Sequence, residues 1–397
     1  MRGHIVKRYK NSYTVVLNLG RDPATGKRKQ QWISVKGTKK EAEKRLAELL
    51  HQLDNGTFMK PGKTTLGEYL ERWLKDYARP NLSPRGFERY ESIIRKHLVP
   101  SLGSMPLTQL KPEHLQRHYS AKLNDGLSAR SVRYQHVVLH VALQSAVKWG
   151  MLSRNVADAV EPPRCRSAEM QTWNEDEVTH LLEAAQETPY YALFYCALFT
   201  GARRSELLGL KWGDVDLLLC QVSINRSLHH LHDGSYVFTQ PKSDKSRRTV
   251  ALPPSAAMVL KQHCEKQKIA RDMIGKPLTG DDLVFAHVDG KPLRPNTVSR
   301  AWTTLAARCG LKVIRFHDAR HTHASLMLKK GIHPKIVQER LGHSTIAVTL
   351  DTYSHIAPGL QAAAAQRFDE AFNFGHNSRV EELVSPRSKN EVVEKCG

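Results

Sequence analysis

The 397-residue sequence contains no apolar stretch long enough to cross a membrane. Its longest nearly apolar run extends from Tyr190 to Phe199, whereas a membrane-spanning helix needs about 20 such residues. The first residues are basic and no apolar segment follows them, so we expect no secretory signal. These absences argue against a membrane or exported protein, and we expect a cytoplasmic one.

Cysteines are few and scattered. The six stand at positions 165, 196, 220, 264, 309 and 396, and no two of them form a Cys-x-x-Cys pair. This distribution supports neither a disulfide framework nor a cysteine-based zinc site. It is typical of a protein from a reducing compartment, which agrees with the cytoplasmic expectation.

Acidic residues are fewer than basic ones. The 39 Asp and Glu residues face 60 Lys and Arg, which leaves a net charge of +21. An excess of this size attracts a polyanion, most often nucleic acid, with an anionic membrane surface as the competing interpretation. The excess is +9 in residues 1–60, +7 in residues 61–165 and +5 in the much longer remainder. We therefore expect the first two segments to grip DNA.

Apolar periodicity and turn residues predict a multidomain fold. Residues 1–60 predict a domain with a three-stranded sheet plus a helix, and residues 61–165 predict an all-helical domain. Residues 166–374 predict a mixed, mainly helical domain with a small antiparallel sheet. Residues 375–397 are polar and predict a disordered tail.

Candidate chemistry is concentrated in the third of these parts. Four short segments there collect arginines, lysines, histidines and one tyrosine: Thr200–Glu206, Pro241–Arg248, Phe316–His323 and Leu341–His343, with Tyr353 ten residues after the last. Any one of these motifs occurs by chance, but all of them in order over roughly 150 residues are highly specific. Together they resemble the tyrosine recombinases, the phage integrase family.

The family pattern is an arginine after Thr-Gly-x, a lysine in a β-hairpin, a His-x-x-Arg box, a Gly-His pair and a nucleophilic tyrosine. The matching residues, in the same order, are Arg203, Lys242, His317, Arg320, His343 and Tyr353. Lys245 lies three residues from Lys242, so the choice between these two lysines stays open. Integrases of this kind carry an arm-site-binding domain and a core-binding domain before the catalytic one, so the resemblance extends along the whole chain.

The resemblance implies a mechanism in which arginines bind the scissile phosphate and a tyrosine attacks it. Arg203 and Arg320 would hold its non-bridging oxygens as bidentate, permanently charged donors, with further hydrogen bonds from His343. Tyr353 would attack phosphorus and hold the DNA as a phosphotyrosine. His317 would add a hydrogen bond or assist the tyrosine as a base.

The leaving 5′-oxygen needs a proton, and Lys242 is the candidate donor, because neighbouring cations lower the pKa of a lysine. Glu206 lies one helical turn after Arg203, and we expect it to hold that arginine rather than react. The bond energy is kept in the phosphotyrosine, so no ATP, metal ion or other cofactor is expected. The DNA contacts expected outside the catalytic set are Lys27, Arg28, Lys29, Lys245 and Arg247.

The histidines also allow a zinc site as an alternative. His317 and His321 have the i, i+4 spacing that can bind a metal ion on one helix face. However, no His-Glu-x-x-His motif or nearby cysteine accompanies them, and Arg320 would repel a cation. We therefore expect no metal.

The function implied by the resemblance is site-specific recombination, which inserts a mobile element into a chromosome and, with a helper, excises it. The expected partners are double-stranded DNA attachment sites and three further copies of the chain, in a homotetramer. An excisionase and a host DNA-bending protein are candidate partners. Two alternatives stay open: a type IB topoisomerase, which shares the chemistry, and a non-catalytic DNA-binding protein.

Overall fold

The computed structural model describes residues 3–21, 26–54, 64–165, 170–240, 247–353, 365 and 368–369. The chain divides into two units, Met1–Ala168 and Glu169–Gly397. Among the described residues, no helix combines the length and the apolar character that a membrane span requires.

The first unit begins with the predicted three-stranded antiparallel sheet and helix. The strands lie in the order β1-β2-β3. Alternation along the third strand turns Ile33 and Val35 toward the apolar side of the helix, whereas Trp32 is half exposed on the other face. The elements are β1 (Gly3–Tyr9), β2 (Ser12–Arg21), β3 (Arg28–Lys36) and α1 (Lys39–Asp54).

The rest of the first unit is helical and has a hydrophobic core of its own. Its helices begin where Thr65, Ser83 and Ser128 accept hydrogen bonds from backbone N–H groups of the first turn. Two π-helical stretches, Leu74–Ala78 and Ile94–Leu98, continue helices into their successors. The helices are α2 (Leu66–Trp73), α3 (Arg79–Asn81), α4 (Pro84–Ile93), α5 (Val99–Leu102), α6 (Pro112–Asn124) and α7 (Ala129–Lys148).

The second unit is built around one apolar helix. Tyr191–Thr200 is apolar on all sides and lies in the core, where Phe194 packs edge-on against Trp302. The helices of this unit are α8 (Glu175–Ala185), α9 (Tyr191–Thr200), α10 (Arg204–Leu208), α11 (Pro254–Met273), α12 (Pro295–Arg308), α13 (Asp318–Lys329), α14 (Pro334–Leu341) and α15 (Ile346–Tyr353).

The strands of the second unit form two small antiparallel sheets, where the sequence predicted one. The strands are β4 (Val215–Asp216), β5 (Gln221–Ile224), β6 (Ser227–His230), β7 (Tyr236–Thr239) and β8 (Arg248–Ala251). One sheet has the order β4-β5-β8, and β6 pairs with β7 alone. Between β5 and β6, Asn225 and Arg226 both bind Asp214.

Candidate active site

Arg203 lies at the start of a short helix, just after a tight turn. The turn needs Gly201, whose φ of +64° is in the left-handed region and whose missing Cβ would lie 2.6 Å from Leu341 Cδ2. Arg203 then donates twice to Glu206, from its backbone N–H at 2.8 Å and from its guanidinium at 2.7 Å. Its side chain stays 38% exposed, so the guanidinium is accessible to a ligand.

Glu206 holds two arginines. Its buried carboxylate also accepts from Arg248, a residue of β8 that the sequence analysis did not single out, at 2.8 Å. Burial alone would raise the pKa of Glu206, but the hydrogen bond and charge of Arg248, together with Arg203, outweigh it and lower the pKa to about 2. Glu206 is therefore an anion that fixes both guanidiniums, and it is held too strongly to serve as a proton acceptor.

Replacing this carboxylate with an amide should destabilise the second unit. Glu206→Gln keeps the shape but leaves Arg248 as a buried charge without its anion, a loss of about 3–5 kcal/mol. We expect the thermal midpoint to fall by about 5–15 °C in a differential scanning measurement. The matched control is Glu175→Gln, because Glu175 pairs with Lys330 at 2.9 Å on the surface. That change should cost at most about 1 kcal/mol.

Acid should remove the difference between wild type and Glu206→Gln. The folded-state pKa of Glu206 is lowered from 4.5 to about 2, so its carboxylate contributes full stability above pH 4.5. That contribution is lost as the pH falls through this window toward 2. A gap in thermal midpoint that stays constant between pH 6 and pH 3 would contradict the role given to Glu206.

Arg320 connects two turns of the chain that each contain a glycine with positive φ, one at Gly201 and the other at Gly342. It lies in the first turn of α13, is 3% exposed, and donates to Gly201 O at 2.9 Å and Leu341 O at 2.7 Å. Burial and the charge of Arg203 lower its pKa, but a guanidinium remains protonated at neutral pH. Two bonds occupy only part of its five N–H donors, and its pKa is lowered by Arg203 and raised by Tyr353.

His343 follows the end of α14, where Gly342 adopts a φ of +67°. Its Nδ1 lies 2.8 Å from Thr349 Oγ1, which orients the ring. Burial and the charges of Arg320 and Arg203 lower the pKa of His343 to about 4. The imidazole is therefore neutral at pH 7, and in the tautomer whose Nδ1 accepts from the Thr349 hydroxyl, Nε2–H is left to donate.

Tyr353 is the last residue of α15, and its ring is fully buried. Burial raises the pKa of its hydroxyl to about 12, against the opposing charge of Arg320. The hydroxyl does not meet His317, the base suggested by the resemblance. It lies 2.7 Å from Nδ1 of His321, one helical turn further along α13. The apolar side chains around the ring are Ala324, Leu328, Val337 and Leu341.

His321 and Arg248 are therefore the site residues that the sequence analysis missed. The signal for His321 was present, because its i, i+4 spacing from His317 puts both rings on one face, and they lie 5.3 Å apart. From the sequence alone, that spacing was interpreted only as a possible metal motif. Arg248 was named only as the end of the segment Pro241–Arg248, and no local pattern predicts its contact with Glu206, 42 residues away. Within the described part of the chain, no three His, Cys, Asp or Glu side chains are grouped as metal ligands would be.

The remaining predicted residues are the two candidate lysines and four expected DNA contacts. Lys242 and Lys245 lie outside the described residues. Arg247 is exposed and donates to Gln240 Oε1 at 2.7 Å. The other three are exposed at the start of β3 in the first unit: Lys27, Arg28 and Lys29.

Sequence comparison connects this site to a known family. Residues 171–359 match the model of the phage integrase family, and residues 65–123 match the N-terminal SAM-like domain of phage integrases. An integrase of Streptomyces ambofaciens is 32% identical over 363 residues, covering 87% of this chain and 90% of the relative. A XerC-like tyrosine recombinase of Caldanaerobacter subterraneus subsp. tengcongensis is 29% identical over 385 residues, covering 92% and 98%.

Solved structures share the fold. The Tn1549 transposon integrase in complex with a circular intermediate DNA has a TM-score of 0.65 at 20% identity, covering 77% of this chain and 99% of that one. A lambda integrase tetramer bound to a Holliday junction has a TM-score of 0.55 at 20% identity, covering 88% and 94%.

These similarities define a class of enzyme, the site-specific recombinases that break and rejoin DNA strands through a tyrosine. The chain belongs to this class as a member of the phage integrase family. Neither the topoisomerase nor the non-catalytic alternative is favoured.

Proposed function

We propose that this recombinase integrates a mobile element by cutting each DNA strand through a 3′-phosphotyrosine on Tyr353. The observation that carries the proposal is the position of Arg320, whose guanidinium donates to Gly201 O, two residues before Arg203, and to Leu341 O, two residues before His343. Its pKa is lowered by Arg203 and raised by Tyr353, so these groups interact. These contacts support the binding of a phosphate diester beside Arg320. His343 faces the same charges.

The proposed reaction is a transesterification. Arg203 and Arg320 hold the non-bridging oxygens of the scissile phosphate and stabilise the charge that grows there in the transition state. The Tyr353 oxygen forms a bond to phosphorus as the bond to the 5′-oxygen breaks, and Lys242, or Lys245, gives that oxygen a proton. Attack by the 5′-hydroxyl of a second strand reverses these steps and joins the new partner. No step consumes ATP or needs a metal ion.

The proposed assembly is a homotetramer on two double-stranded attachment sites, exchanging strands in pairs. The similarity in fold to a lambda integrase tetramer on a Holliday junction supports this assembly. An excisionase and a host DNA-bending protein are proposed as further partners in excision. The proposed domains are an arm-site domain over residues 1–60, a core-binding domain over 61–165 and a catalytic domain over 166–374.

A nicked suicide substrate tests the proposal. The full-length protein is mixed with nicked DNA carrying the element's own junction, without metal or ATP, and resolved on a denaturing gel. The expected result is a protein–DNA adduct, and peptide mapping should identify Tyr353 as the residue that carries the DNA. Relaxation of any supercoiled plasmid without joining of two attachment sites would instead point to a topoisomerase.

Deleting residues 1–56 should separate two activities. If the sheet domain binds distant arm sites, the truncated protein should still cleave a core site at a rate within about threefold of the full chain. Integration between full attachment sites should fall by at least tenfold, because arm binding raises the effective concentration of the core domains. A recombination assay on plasmids with and without arm sites measures both. Undiminished integration by the truncated protein would refute the arm-site role.

A further inference from the structure

The immediate partner of the Tyr353 hydroxyl is His321, not the histidine of the His-x-x-Arg box. The distance of 2.7 Å from Oη to Nδ1 is that of a direct, strong hydrogen bond. The two rings lie with their centroids 5.7 Å apart and their planes inclined at 55°. His317 stacks edge-on against the far side of the pair and makes no bond to the tyrosine among the described contacts.

We propose that His321 is a further catalytic residue, the base that accepts the proton of the Tyr353 hydroxyl as the tyrosine attacks DNA. The inference rests on the proposed role of Tyr353 as nucleophile. In the step, the O–H bond of Tyr353 breaks and its proton forms a bond to Nδ1 of His321. The freed electron pair on Oη forms the bond to phosphorus, and the 5′-oxygen leaves with a proton from the lysine.

The surroundings of His321 keep it able to accept that proton. Burial and the charges of His317, Arg320 and Arg315, opposed by Asp318, lower its pKa to about 4, so the free ring is neutral at pH 7. A neutral imidazole is an acceptor at one nitrogen. The titratable or charged groups that face it are His317, Asp318, Arg315 and Arg320 from its own segment, and Tyr353 and His343 from the segments packed against it.

Substrate binding would strengthen this base. A phosphodiester held by Arg320 brings a negative charge next to one of the cations that lower the pKa of His321. That charge would offset the contribution of Arg320 and raise the pKa of the imidazole, which makes it a better proton acceptor, while burial, the largest cause of the lowered pKa, remains. Bound DNA would therefore assist the activation of the tyrosine.

Two variants separate a base from a group that only orients the tyrosine. His321→Ala removes both functions, whereas His321→Asn keeps an acceptor near the position of Nδ1 but cannot take up a proton. Single-turnover adduct formation on the nicked substrate should fall by about 10²–10³-fold in both variants, the usual contribution of a general base. Imidazole added to the buffer should restore part of the rate of His321→Ala and none of that of Tyr353→Phe.

The pH profile gives a second readout. The wild-type rate should fall at acid pH as His321 becomes protonated, and should level off above its pKa in the DNA complex. In His321→Ala the rate should rise tenfold per pH unit through neutrality, because the tyrosine must then ionise without help. His317→Ala should keep the wild-type plateau.

A His321→Asn rate within about threefold of wild type would overturn the proposal and leave His321 an orienting group. Loss of the plateau in His317→Ala, with the plateau kept in His321→Ala, would assign the base to His317. Absence of any Tyr353 adduct in the wild type would instead refute the proposed function itself. Thermal midpoints and DNA affinity of each variant monitor folding, and the near-isosteric Asn variant keeps the test valid if the Ala variant does not fold.

Discussion

Replacing Tyr353 with phenylalanine should abolish the covalent protein–DNA adduct and leave DNA binding within about threefold of wild type. The change removes one oxygen atom, and the ring that remains can keep its place among Leu328, Val337 and Leu341. The oxygen is nevertheless the proposed nucleophile, so its loss should reduce strand cleavage by at least 10³-fold. Adduct formation on the nicked substrate and a DNA-binding titration measure the two effects separately.

Tyr119 offers a matched control for that experiment. Its ring is equally buried, and its hydroxyl lies 2.9 Å from Nδ1 of His136 in the helical part of the first unit. Tyr119→Phe therefore removes a buried hydroxyl from the same kind of partner at a position with no proposed chemistry. It should cost about 1–3 kcal/mol of stability and leave the rate of cleavage unchanged. An adduct that persists in Tyr353→Phe would show that another residue is the nucleophile.

The sequence was informative where function depends on local spacing. Arg203 and Glu206 are three residues apart at the start of a helix, so a contact between them follows from helix geometry, and the structure has it at 2.7 Å. Arg320 belongs to a motif whose residue types suit phosphate binding. These features need only a short stretch of chain, and the resemblance to a family supplied their order.

Contacts between residues far apart in the sequence could not be predicted from local spacing. Glu206 meets Arg248 from 42 residues away, because β8 pairs with β5 in a sheet whose register no local pattern reveals. Tyr353 meets His321 from 32 residues away, because α15 folds back against α14 and α13. Strands β6 and β7 pair with each other and not with β4, β5 or β8, and no local pattern reveals this pairing. The sequence therefore predicted one sheet where the described residues form two.

Replacing Arg320 with lysine should greatly slow cleavage while leaving a positive charge in place. Lysine carries one compact ammonium on a flexible stem, so it cannot bond Gly201 O and Leu341 O together and still face a phosphate as a planar fork. We expect the single-turnover rate of adduct formation to fall by about 10²–10³-fold. DNA affinity should change less than tenfold, because the whole basic surface contributes to it.

The competing explanation is that replacing any buried arginine would reduce adduct formation as much, because the variant protein would partly unfold. Arg271 tests it, since this α11 residue is 7% exposed, donates to Asp282 Oδ1 at 2.9 Å and has no proposed role in the chemistry. Arg271→Lys should lower the thermal midpoint comparably, yet the rate constant of the molecules that remain folded should stay near wild type. Amplitude and rate constant in the same single-turnover experiment distinguish lost protein from lost chemistry. If the rate constant falls in Arg320→Lys and not in Arg271→Lys, the result supports binding of the phosphate by Arg320, between the two glycine turns.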